Sequence, residues 1–72
     1  MASVNSADID LNLLRVLDAL LDTGSVVGAA ARLHLSPPAV SRSLGRLRKL
    51  LGDPLFVRAG RELVPTELAK SL

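Results

Sequence analysis

Ser36-Pro37-Pro38 limits the fold of this chain more than any other stretch. Proline inside a helix removes a hydrogen bond and collides with the preceding turn, a cost of about 3 kcal/mol. In a first turn the missing N–H is one that had no partner anyway. The apolar spacing that follows is helical, so the pair predicts a helix beginning here, with Ser36 as its cap. A start one residue later is also open, because Pro38 pushes Pro37 away from full α geometry. The preceding helical pattern within VVGAAARLH has its last apolar residue at Leu33, so only His34, Leu35 and Ser36 lie between two helices. That is the connection of a helix-turn-helix.

The helix before that pair lies in DLNLLRVLDALLDTG. Leu13, Leu14, Leu17, Leu20 and Leu21 recur at threes and fours and predict one buried face. Asp10 is the expected N-cap and Gly24 the expected left-handed stop. Ser25 then caps a second helix, with Val26 or Val27, Ala30 and Leu33 as its buried stripe. Gly28 to Ala31 are small enough to let another helix pack close. GSVVG follows no strand and lacks a GK[ST] ending, so it reads as a helix junction and not as a phosphate loop.

The third helix is predicted over 37–51, with Val40, Leu44, Leu47 and Leu51 on its apolar stripe. Pro38, Arg42, Gly45, Arg46 and Lys49 fall opposite, with Ser41 and Arg48 on the near flank. Four cations and no acid share this helix, whereas solvated helix faces usually mix both signs. Residues 32–61 carry seven Lys and Arg against Asp53 alone, a net +6 within a chain of net +2. A positive field so placed suggests an anionic partner. Gly52 ends the helix and Asp53-Pro54 turns the chain. LFVR and LVPT then read as two strands about the turn Ala59-Gly60-Arg61-Glu62, with Leu55 or Phe56 pinning the hairpin to the helices. Pro65 suits the end of the second strand, and TELAKSL starts another helix.

A 72-residue chain buries only about 60% of its unfolded surface, and here no cysteine staples it. The aliphatic residues, with Phe56 as sole aromatic, must form the core. The longest stretch free of Asp, Glu, Lys and Arg is nine residues, too short for a membrane span, and no signal peptide is visible. The expectation is a cytoplasmic protein. His34 has no second His or Cys to share a metal, and there are no paired carboxylates outside the acidic flank of the first helix. No catalytic residue, metal or cofactor is therefore expected. The fold class is mainly α, a three-helix winged helix-turn-helix with a two-stranded β-hairpin wing and the start of a linker helix. In such proteins the second helix of the pair lies in the major groove, which assigns helix 37–51 to recognition. A winged helix can instead serve as a protein-binding module, with a less uniformly cationic face.

Ser25, Ala29-Ala30, Leu33, Ser36, Pro38-Ala39-Val40-Ser41, Leu44, Leu47, Leu51-Gly52, Leu55-Phe56, Arg58, Arg61 and Thr66 stand in an order and spacing that resembles the N-terminal DNA-binding domain of LysR-type transcriptional regulators. The resemblance spans about residues 10 to 70. It implies a bacterial, sequence-specific binder of double-stranded DNA that pairs on an imperfect palindrome. Contacts carried over with it fall on Ser36, Pro37, Pro38, Ser41, Arg42 and Arg46 of the recognition helix. Arg58 and Arg61 of the wing (residues 55–65) would meet the minor groove and backbone. It also implies a division into a flexible N-terminus (1–9), the DNA-binding unit (10–65) and the start of a dimerisation helix cut off at Leu72 (66–72). A small-molecule effector would bind only a further C-terminal domain, absent from these residues. Three positions depart from the family pattern: Pro37 stands where Gln is usual, Val27 where Thr is usual, and Lys70 where Gly is common.

Overall fold

The computed structural model describes residues 11–72. The expected Asp10 cap and the expected flexible segment 1–9 lie outside them. Elements follow in the order α1 (Leu11–Thr23), α2 (Val26–Leu33), α3 (Pro37–Leu51), β1 (Phe56–Ala59), β2 (Glu62–Pro65) and α4 (Glu67–Ser71). This is a mainly helical winged fold: three helices, an antiparallel hairpin, and a short closing helix.

Each junction is closed by the chemistry the sequence supplies there. Gly24, at φ 70°, donates its N–H to the Leu20 carbonyl at 2.9 Å and stops α1. Ser25 caps α2, its Oγ accepting from the Gly28 N–H at 2.8 Å. A Cβ on Gly28 would lie 2.8 Å from that Oγ and 3.1 Å from Thr23 Cβ. Gly28 therefore makes room for the cap, and not, as the sequence suggests, for a neighbouring helix. His34 closes α2 in the left-handed region at φ 58°, its N–H reaching the carbonyls of Ala30 and Ala31. Gly52 ends α3 at φ 63° with its N–H on the Arg48 carbonyl.

The core gathers Leu13, Val16, Leu17, Ala19 and Leu20 from α1, Ala29 and Ala30 from α2, and Val40, Leu44 and Leu47 from α3. Phe56 enters it from β1, Leu55 from the turn before β1 and not from the strand expected there, and Ala69 from α4. Three expected core positions differ. Leu14 is 52% exposed and Leu21 37%, because the buried stripe of α1 is centred on Leu13, Leu17 and Leu20 and continues onto Val16 and Ala19. One residue beyond Leu13 or Leu20 turns the side chain about 100° away from that stripe. Leu51, 40% exposed, has the right phase but is the last residue of α3, where no following turn helps to cover it. On α2, Val26 packs against the core while Val27 is 69% exposed.

The hairpin is tighter than the sequence suggests. Phe56 pairs with Pro65, Val57 with Val64, Arg58 with Leu63 and Ala59 with Glu62, leaving Gly60-Arg61 as a two-residue loop. Only Gly60 of the pair has a positive φ, at 65°, as expected of a turn with Gly in its first central position. Ala59 and Glu62 are thus strand residues. The Leu63 N–H donates to the Gly24 carbonyl at 3.0 Å and ties the hairpin to the turn between α1 and α2.

Candidate nucleic-acid interface

Ser36 has extended backbone, φ −80° and ψ 152°, and its Oγ accepts from the Ala39 N–H at 3.2 Å. Pro37 and Pro38 occupy the first two helical positions. The start one residue later is thereby excluded. Ser36, Pro37 and Pro38 are all exposed, so the end of α3 presents two rings and a hydroxyl to solvent. Ser41, Arg42, Arg46 and Lys49 are exposed further along the same helix. Among the described residues Arg42, Arg46 and Lys49 form no ion pair.

Two cations of the basic segment are already engaged. Arg32 pairs with Asp22 across the junction of α1 and α2. Arg48 turns to the hairpin, donating from Nε to the Pro54 carbonyl at 2.8 Å and from Nη2 to the Phe56 carbonyl at 3.3 Å. Among the described residues five cations of that segment remain uncommitted: Arg42, Arg46, Lys49, Arg58 and Arg61.

The hairpin brings Arg58 to α3. Two residues from buried Phe56 on β1, Arg58 shares its face of the strand. With Ser41, Leu44, Arg48, Phe56 and Leu63 it lines a cavity of about 250 Å³ between α3 and the hairpin. Arg61 sits exposed in the loop. On the opposite flank of α3, beside Ala39 and Ser43, Asn12 and Arg15 of α1 line a second cleft of about 250 Å³. The sequence did not place Arg15 beside α3, since its helix is otherwise acidic; its one mark there is to be the sole cation before residue 32. Among the described residues no helix is long and apolar enough to cross a membrane.

A family model described as bacterial regulatory helix-turn-helix protein, lysR family, matches residues 11–70. Nodulation protein D 1 of Bradyrhizobium sp. (strain NC92) is 52% identical over 64 residues, 89% of this chain and 20% of that protein. The HTH-type transcriptional regulator SyrM of Rhizobium etli is 48% identical over 69 residues, 96% of this chain and 20% of that protein. The chain thus spans about a fifth of the length of the curated relatives it matches. Among solved structures, the probable transcriptional regulator PA0477 from Pseudomonas aeruginosa superposes with a TM-score of 0.84 at 46% identity. That match covers 90% of this chain and 22% of that one. The CbnR_DBD-DNA complex superposes with a TM-score of 0.80 at 29% identity, over 86% of this chain and 71% of that one. By its family match over residues 11–70, its relatives and its fold, this chain belongs to the lysR family of bacterial regulatory helix-turn-helix proteins.

Proposed function

We propose that this chain binds double-stranded DNA sequence-specifically, as the DNA-binding domain of a bacterial LysR-type transcriptional regulator. The observation that carries the reading is α3: a capped, proline-stiffened start followed by three uncommitted cations and no acid. A solved relative of the same fold is a complex with DNA. In the proposed arrangement α3 lies in the major groove with Pro37, Pro38, Ser41 and Arg42 toward base edges. Ser36 and Arg46 flank them at the phosphates, and Arg58 and Arg61 of the wing meet the adjacent minor groove and backbone. A recognition helix in a groove faces a phosphate strand on each flank, so Arg15 meets the strand away from the wing. Residues 10–65 form the binding unit and 66–72 begin the linker helix through which full-length members pair. A homodimer then meets an imperfect palindrome in the cytoplasm, and an effector acts through a further C-terminal domain. Nothing in the reading requires catalysis, a metal or a cofactor.

Selection of bound duplexes from a randomised library tests the proposal. The expected result is enrichment of one short motif with its strongest preference at the base pair under Arg42. A library returning unenriched would refute sequence-specific binding.

A further inference from the structure

Three backbone segments meet beneath the hairpin: the last turn of α3, the entry to β1 and the start of α4. Arg48 ties the first to the second through its bonds to the Pro54 and Phe56 carbonyls. Asp53 joins the second to the third, one carboxylate oxygen accepting from the Leu55 N–H at 2.7 Å and from the Thr66 hydroxyl at 2.8 Å. The Thr66 N–H donates to the Leu55 carbonyl at 2.8 Å, and its Oγ1 also caps α4 by accepting from the Ala69 N–H at 3.2 Å. Leu55 lies at the centre, fully buried and at φ 65°, a conformation leucine disfavours. Burial of Leu55 and Phe56 holds the hairpin down, but apolar attraction has no direction. Directional bonds set the tilt: Leu63 to Gly24 for β2, and those of Arg48 and Asp53 for β1.

We infer that Arg48 and Asp53 are positioning residues for nucleic-acid recognition. They hold Leu55 in its left-handed turn and thereby aim β1, and with it Arg58 and Arg61, at the backbone beside α3. Arg48 is thus a cation of the recognition helix that works on protein carbonyls and not on phosphate. The inference rests on the wing contact proposed above.

Binding is compared on two synthetic duplexes with the same selected half-site, one extending under the wing and one trimmed at that edge. Wild type is expected to prefer the extended duplex about tenfold, the factor one or two charge-assisted phosphate contacts carry. Arg58→Ala should erase the preference. Asp53→Ala and Arg48→Met should each erase most of it while binding the trimmed duplex within roughly twofold of wild type, as expected when only the wing's share is lost. Asp53→Asn, whose amide oxygen can accept the same two bonds, should keep it. If circular dichroism shows Asp53→Ala unfolded, Arg48→Met carries the test, since its exposed side chain leaves Leu55 and Phe56 in place. Folded variants that keep the preference, or lose affinity equally on both duplexes, overturn the inference while Arg58→Ala still reports on the wing. A wild type indifferent to trimming overturns the wing contact and this inference together.

Discussion

Pro37 gives the end of α3 stiffness and an apolar ring but no hydrogen-bond donor. A ring there can meet a thymine methyl, whereas glutamine, usual in the family, can pair with adenine at two points. Pro37→Gln should change stability by less than about 1 kcal/mol, because an exposed first-turn residue packs little. In parallel duplex selections it should add an adenine preference at one base pair of each half-site. Unchanged preferences would remove Pro37 from the groove. His34 makes a separate prediction, since its φ of 58° is a conformation that glycine adopts without a Cβ penalty. Thermal melting should show His34→Gly equal to wild type or up to about 1 kcal/mol more stable. A loss above that size would mean that the imidazole makes a stabilising contact. The proline pair, the serine caps and the glycine stops were legible because each acts on its own neighbours. The left-handed His34 and Leu55 were not, since neither residue type favours that conformation. His34 takes it to close its own helix, and Leu55 is held there by its bonds to Asp53 and Thr66.

At the scale of elements, α3 and the hairpin divide the proposed work. Arg42 stands exposed one turn into α3, where its fork of donors can reach guanine O6 and N7. Arg42→Ala should cost roughly 1–3 kcal/mol on the selected duplex and relax discrimination there. Arg58→Ala should weaken selected and random duplexes alike, and Arg15→Ala should do the same from the other flank. Titrations with equal losses on both duplexes for Arg42→Ala would end this division. The hairpin depends on its anchor: Phe56 is 2% exposed, and Phe56→Ala should destabilise the fold by about 3–5 kcal/mol in chemical denaturation. A cost below about 1 kcal/mol would show that the hairpin is held without it. Helical periodicity placed all three main helices, and the hairpin was visible from its Gly-containing turn. Which flank of a leucine-rich stripe is buried was not legible, because valine and alanine at Val16 and Ala19 take part in the core that Leu14 and Leu21 leave. Nor was the turning of Arg48 to the Pro54 and Phe56 carbonyls, which depends on where the chain goes after α3.

Across the whole molecule, charge follows the architecture. Acids outnumber the lone cation of α1, and one of them holds Arg32. Among the described residues the uncommitted cations lie on α3 and the hairpin, with Arg15 of α1 beside them. The run of cations was readable from the sequence, but its effective size was not, because Arg32 and Arg48 are engaged within the protein. If about three phosphates are neutralised per protomer, log affinity should fall against log salt with a slope near −3, about double that for a dimer on the duplex. DNA recognition by this chain is tested by a salt titration of binding to the selected duplex and to a scrambled one. The predicted result is that steep slope on both duplexes, with the selected duplex bound more tightly throughout. A flat response, or equal affinity for the two at every salt concentration, would contradict recognition of DNA by this chain.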